Sequence, residues 1–562
     1  MKIHGNEQIV VKTDGAIPLI NSICDKISLA ERIDAQIEEE QCKRIVTSGV
    51  AIKALVMSIV ARRKALYKVE RFYESTDTEK IFGDGIQAEH FTDDMLARAL
   101  DDLYDIGAKK IMTETAMKII QEYKIPVTSI HADTTSKSLY GEYKNQNEED
   151  KTILITQGHS KDYRPDLKQI LFGLGTTKDR IIVTGNVCDG NTSDKDWNKD
   201  ILKELRNSMK QYGLRDFVYV ADSVAITEEM LKSLRGKATE EPAIPFVSRL
   251  PGNYKLEQQL KSKALSSPYN WIDIGRISDK KESANYRIQC IEDELYNNKY
   301  RFLVCHSDHL STRKDKTISK RIETEEEEAT KAIKKLCKTE YYCEADANEA
   351  YQMLGKELNL KYHDFFATVV KVERSKKRTK AGSSNKNEAL FRLKIEIYKD
   401  DVRIREIKEK ESIFVLITSI DENEMDGKSI LTEYKQQSSV ETSFRVLKDP
   451  YFIDELFIKK PHRVEALAYV MLLALMILTL FERTVRENLK NETERIVIAG
   501  GVKTFTPTGA SLIETLDQIQ VILIYKEGKW QRHCELKENE KRILMLVGFD
   551  ESIYTQGFQK NA

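Results

Sequence analysis

The chain has no C-x-x-C pair, and its eight cysteines lie scattered. That excludes a disulfide-stapled miniature fold and leaves free thiols in a reducing cytoplasm as the expectation. Cys305, His309, Cys337 and Cys343 have a spacing that matches no common zinc-ligand pattern. The first 20 residues lack a cationic start followed by an apolar core, so no signal peptide is expected. The most membrane-like stretch, Ala466 to Phe481, has 16 residues broken only by Thr479. It falls short of the roughly 20 needed to cross a bilayer and reads as a buried core helix; no membrane partner is expected. There is no internal repeat. A net charge of −1 neither demands nor excludes nucleic acid, because binding depends on local patches. Such patches exist at Lys109 and Lys110, at Lys459 to Arg463, and at Arg374 to Lys380, which reads RSKKRTK.

What is present is a chain of 562 residues, 41% hydrophobic and 32% charged, too long for one core and too apolar for large-scale disorder. Residues 1–122 read as a helical N-terminal domain that could bind DNA. Val50, Ile52, Leu55, Val56 and Ile59 recur at helical spacing, as do Met95, Leu96, Leu100, Leu103 and Ile106. Basic character there is modest, in Arg62, Arg63 and Lys64. From Ile125 the pattern turns to strands: Val127 to Asp133, Ile153 to Thr156, Gln169 to Leu174 and Arg180 to Val187. A helix from Asn198 to Tyr212, a strand from Phe217 to Ala221, a helix capped by Thr227 and a strand from Phe246 to Arg249 follow. That order, over 123–250, is the order of a ribonuclease H-like mixed sheet flanked by helices. Residues 251–421 break the regularity and read as an inserted β/α domain. It carries strands near Trp271, Tyr286, Tyr300, Phe365, Leu390 and Ile413, and a charged helix from Lys316 to Leu336. Residues 422–490 return to helices of the core, and 491–562 form a C-terminal segment. The expected class is therefore α+β and multidomain.

One helix carries a distinctive face. Ser429 can cap it and Pro450 disfavours helix at Asp449, so it is expected from Ile430 to Lys448. Tyr434, Gln437, Glu441 and Lys448 stand at offsets 0, 3, 7 and 14, within an arc of about 60° at 100° per residue. Arg445 lies on the same arc. Val440, Phe444 and Leu447 form an apolar flank that would bury beside it. A phenol, an amide, a carboxylate and an ammonium on one face suit phosphate and divalent-metal chemistry, although a solvated face has the same composition.

Two aspartates give the face its meaning. Asp133 and Asp222 each follow a run of strand residues, and adjacent strand ends can bring such carboxylates together. With Glu441 they would make an oxygen-ligand site for one or two Mg²⁺ or Mn²⁺ ions. Paired metals about 4 Å apart can activate an attacking oxygen and stabilise a leaving one in phosphodiester displacement. Taken singly, each aspartate is also an ordinary turn or cap residue. Trp271 reads as a core residue rather than a base-stacking one, and His159 as a loop residue.

The motifs together resemble a known family. IHADTTS at Asp133, QGHSKDYRPDLKQILFGL from Gln157, GNTSD from Gly190 to Asp194 and VYVADS ending at Ser223 carry the likeness. FVSRLPG from Phe246 and YKQQSSVETSFRVLK from Tyr434 to Lys448 complete it. The chain resembles an insertion-sequence transposase of the DDE class, in the IS-four-like group marked by Y-x(2)-R-x(3)-E-x(6)-K. DDMLARALDDLYDIGAKK in the helical N-terminal region also looks like one branch of that group.

The resemblance implies that Asp133, Asp222 and Glu441 are the metal-binding catalytic triad and that Tyr434 and Lys448 contact DNA phosphates. Gln437, Arg445, Lys161 and Arg164 are further candidate DNA contacts. It implies cleavage at the element's terminal inverted repeats in double-stranded DNA and transfer of the 3′ hydroxyl to target DNA. A homodimer on DNA and a cytoplasmic, nucleoid-associated prokaryotic location go with it. The signature arginine is replaced here by Gln437, which can hydrogen-bond but carries no charge, with Lys435 or Arg445 able to compensate. Rival readings are a catalytically impaired DNA-binding descendant, and a metal-dependent nuclease without strand transfer.

Overall fold

A computed structural model describes residues 8–37, 44–61, 68–143, 152–237, 241–278, 283–373, 389–449, 458–526 and 529–556. The RSKKRTK segment, the basic run at 62–64 and Pro450 lie outside the described residues. Contacts divide the chain into two compact units, one running to Ser248 and resuming at Glu433, the other Arg249–Thr432.

In the first unit, helices Ser48–Val60, Asp93–Asp105 and Ala108–Glu122 pack around the 29-residue helix Pro461–Leu489. Thr47 and Thr92 cap two of them by accepting from the backbone N–H of Val50 and Met95. Pro461–Leu489 is long and apolar enough to cross a membrane by length and composition, yet its apolar stretch is buried by these neighbours. Thr479, the polar interruption, donates its hydroxyl to Leu475 O within the helix, at 2.9 Å. The helices of the N-terminal region thus share one compact unit with the core sheet.

Five adjacent strands of that unit run in the order Ile182–Cys188, Lys168–Thr176, Ser129–Leu139, Val218–Ala221, Phe246–Arg249. The first two pairings are antiparallel and the last two parallel. A separate three-stranded sheet joins Gln8–Thr13 to Gln520–Lys526 and Lys529–His533.

The second unit has its own antiparallel strands, Ile413–Thr418, Asn298–Ser307, Asn285–Leu295 and Ile272–Arg276, in that order. It adds a 30-residue helix, Asp308–Cys337, and a hairpin of His363–Glu373 with Ala389–Lys399. Ile318, Ile322, Tyr362 and Ile404 form its small apolar cluster. Trp271 lies against His306 and the Arg287 guanidinium.

Three local expectations need correction. Asp133 does not end its strand, because the antiparallel ladder with Lys168–Thr176 carries the strand on to Leu139. Residues 153–155 form no strand; only Thr156 makes an isolated bridge, to Gln169. The expected helix 430–448 is two helices, Gly427–Lys435 and Ser438–Lys448. Between them, Gln436 and Gln437 donate to the carbonyls of Glu433 and Tyr434, three residues back, and Ser439 and Val440 repeat that pattern. Adjacent serines are poor helix formers, and the tighter turns replace the α-helical bonds there. Angular arithmetic at 100° per residue therefore does not carry from Tyr434 and Gln437 to Glu441.

Candidate active site

The parallel ladder between Ser129–Leu139 and Val218–Ala221 ends at the pair Ala132↔Ala221. The next residue on each strand is an aspartate. Register alone therefore sets Asp133 beside Asp222, at the point where one neighbour strand stops and a cleft opens. Both line a cavity of about 280 Å³, together with Lys161, Asp194 and Asn198. Asp222 accepts from the N–H of Ser223 at 2.6 Å, and its own carbonyl accepts from Ser248 Oγ at 3.0 Å. Asp133 accepts from the N–H of Thr134 at 2.7 Å. Burial pushes its carboxyl up to about 6; the Lys161 charge and the Thr134 N–H oppose the rise, while Asp194 and Asp222 add to it.

Asp194 opens the helix Asp194–Tyr212, which Ser193 caps by accepting from Asp196 N. Close packing of that helix on the sheet depends on Gly173. A Cβ there would lie 2.0 Å from Trp197 Nε1, so only glycine lets the indole approach and donate to Asn186 Oδ1 at 3.1 Å. The seated helix brings the Asp194 carboxylate to Thr134 Oγ1 and to the Lys161 ammonium. Lys161 Nζ also donates to Thr134 O at 2.9 Å and Thr134 Oγ1 at 2.7 Å, and its backbone N–H donates to Ser136 Oγ at 2.8 Å.

Glu441 is exposed in the first turn of Ser438–Lys448 and is not among the residues lining the cavity. Its helix buries Ser439, Val440, Ser443, Phe444 and Leu447 and packs against the strand that carries Asp133. Two ties set the alignment. Glu433 Oε1 stands 3.1 Å from His131 Nε2, and Lys448 pairs with Asp162, which in turn accepts from Ser138 N at 3.2 Å. Both segments ascend in number between these ties, so Asp133 and Glu441 lie in the same interval. On this helix Glu441, Arg445 and Lys448, at offsets 0, 4 and 7, share one face.

The other expected contacts are dispersed. Tyr434 belongs to the preceding helix, and Gln437 is 9% exposed at the break. Arg445 is exposed, and Arg164 is held by Asp166 through two bonds of 2.9 and 2.7 Å. That carboxylate holds the Arg164 guanidinium above its ordinary pKa. Sequence reasoning gave no role to Asp194, Asp162 or the His131–Glu433 pair, although Asp194 closes GNTSD and Asp162 lies within SKDYRP.

Residues 158–477, more than half of the chain, match the family described as Transposase DDE domain. The chain belongs to the DDE transposase family. The matched segment contains Asp222 and Glu441 and begins downstream of Asp133. Residues 10–117 match a Domain of unknown function (DUF4277), so this transposase carries that domain ahead of its catalytic region. No curated protein matches. Among solved structures, the transposase is similar to "Cryo-EM structure of piggyBac transposase synaptic complex with hairpin DNA (SNHP)". That likeness has 9% identity and a TM-score of 0.36, over 89% of this chain and 79% of that one.

The donor chemistry of the cavity suits a hard divalent cation, because Asp133, Asp194 and Asp222 offer carboxylate oxygens and neither cysteine nor histidine lines it. Among the described residues, no three His, Cys, Asp or Glu side chains are grouped closely enough to hold a metal.

Proposed function

We propose that this transposase performs cut-and-paste movement of its own element through a ribonuclease H-like core of the Y-R-E-K type. The observation that carries the reading is the adjacency of Asp133 and Asp222 beyond the Ala132↔Ala221 pair, in a chain of the DDE family. Asp133 and Asp222 would hold Mg²⁺ or Mn²⁺, with Glu441 the third ligand once its helix has closed on DNA. Bound there, the cation supplies activation of the attacking oxygen and charge stabilisation of the leaving one. Lys448, Arg445, Lys161 and Arg164 offer positive charge to backbone phosphates, Tyr434 a hydroxyl and Gln437 an amide. Water attacks phosphorus at the element end, the P–O3′ bond breaks, and a 3′ hydroxyl is freed. That hydroxyl then attacks a target phosphodiester, forming a new P–O3′ bond while the target's own P–O3′ bond breaks and its 3′ hydroxyl leaves, and the same carboxylates would serve both displacements. Work on two ends at once calls for a homodimer on DNA, in the cytoplasm at the nucleoid.

A supercoiled plasmid carrying the element's ends, incubated with protein and Mg²⁺, tests the reading. Cut ends together with joined products are expected. Cutting without joined products would reduce the protein to a nuclease, and binding alone to a DNA-binding descendant. Undiminished cleavage by Asp133→Asn would remove the assigned site altogether.

A further inference from the structure

Three carboxylates and one ammonium face the catalytic cavity: Asp133, Asp194 and Asp222 against Lys161. We propose that Lys161 is the resident counter-cation of this cavity in the DNA-free enzyme, occupying a cation position that it yields when substrate phosphates arrive. The inference rests on the metal-dependent reading above and adds a positioning role to a residue otherwise expected only to touch DNA.

The ligand set of the ammonium carries the argument. Nζ meets a carbonyl oxygen, Thr134 O, at 2.9 Å, a hydroxyl, Thr134 Oγ1, at 2.7 Å, and a carboxylate, Asp194 Oδ1, at 3.2 Å. Neutral and anionic oxygens converging on one charge are what a hard cation also takes. The neighbouring cations are engaged differently, Arg164 of the same loop by Asp166 and Lys448 of the helix Ser438–Lys448 by Asp162. Among the described residues, Lys161 is the only basic one lining the cavity.

The tether lets the charge leave. The Lys161 backbone is fixed by Ser136 Oγ, while its side chain is 27% exposed on a flexible four-carbon stem. Swinging out would exchange Asp194 for a phosphate oxygen without moving the loop. With all three carboxylates ionised and Lys161 in place, the lining carries a formal −2, which one divalent ion neutralises; with Lys161 withdrawn it carries −3. Asp194 then has a part as well, as the carboxylate that holds the lysine inward.

Titration of the DNA-free protein with Mn²⁺, following free Mn²⁺ by electron paramagnetic resonance, tests this without any turnover. Lys161→Met is expected to lower the Mn²⁺ dissociation constant about tenfold, since it deletes a like charge within a few ångströms. Lys161→Arg, which keeps the charge, is expected to remain at the wild-type value. A merely structural lysine predicts the opposite sign, weaker Mn²⁺ binding on its loss. Equal or weaker binding by folded Lys161→Met, or by Lys161→Gln where the methionine variant does not fold, overturns the proposal. Asp133→Asn separates this failure from that of the metal reading. If it binds Mn²⁺ as the wild type does, the cavity is not the metal site; if it alone loses binding while Lys161→Met is unchanged, only the counter-cation role falls.

Discussion

Asp133 in the first unit and Glu325 in the second are both half-buried carboxylates, and their acidities move in opposite directions. Burial drives Asp133 up to about 6, and one N–H and one ammonium do not offset it. Burial also pushes Glu325 up, but the N–H groups of Lys361 and Tyr362 and the His363 ring outweigh it and hold the carboxyl below its ordinary value. Glu325 ties the helix Asp308–Cys337 to the start of the hairpin strand and has its lone pairs taken. Asp133 accepts from the N–H of Thr134 and stands among the like charges of Asp194 and Asp222. A carboxylate enclosed by N–H donors is held ionised by its fold, whereas one crowded by like charges and burial is not.

The largest test of this contrast is chemical. Asp133→Asn or Glu441→Gln is expected to slow plasmid cleavage at least about a thousandfold. Asp133→Asn should at the same time melt no lower than wild type at pH 7.5, because it removes a charge that folding disfavours. An inactive and destabilised Asp133→Asn would place the residue with Glu325 instead.

Asp14 sharpens the comparison, because it is destabilised like Asp133 but lies outside the cavity. It is 1% exposed, accepts from Asp77 N at 2.9 Å, and burial together with the Asp77 charge raises it to about 6. Its folded pKa exceeds its unfolded one, so its contribution is complete below about 4 and is lost as pH rises through about 6. Thermal melts of wild type and Asp14→Asn should therefore converge at low pH and separate above 6 in favour of the asparagine. A difference on the order of 3 kcal/mol is the ceiling, at about 1.4 kcal/mol per pKa unit.

Glu325→Ala tests the opposite pole. It leaves three backbone N–H groups and the His363 ring without their acceptor and should cost about 2 kcal/mol in urea unfolding, while cleavage per folded molecule is retained. Arg164→Gln is expected to do least. Its guanidinium is already engaged by Asp166, so DNA affinity should fall only about threefold, with the slope of log affinity against log salt shallower by about one.

Much of this arrangement was legible before any coordinates. Runs of strand residues leading up to Asp133 and Asp222 mark the two aspartates, although buried Ser129 and His131 interrupt the first with polar groups. Thr227 and the run Ala466 to Phe481 were equally plain, the one a cap accepting from Met230 N and the other a core helix. What escaped depended on pairing across the chain. Only the ladder with Lys168–Thr176 shows that the Asp133 strand continues, and only the seating of Trp197 on Gly173 carries Asp194 to Lys161. The break at Gln436 and Gln437 escaped because periodicity counts apolar positions and passes over the weak propensity of two serines. The helix Asp401–Glu411 went unread because it buries only Ile404 and offers no apolar stripe.

The strand Gln8–Thr13 pairs with Gln520–Lys526, and the N-terminal helices close around Pro461–Leu489. During synthesis the strand Gln8–Thr13 lacks its ladder partner until some five hundred residues have left the ribosome, whereas Arg249–Thr432 gathers its own contacts and can fold while translation continues. The strand that carries Asp133 is thus translated long before the helix Ser438–Lys448 that packs against it. A ribosome that stops short of residue 520 releases a chain in which Gln8–Thr13 lacks its partner strand Gln520–Lys526.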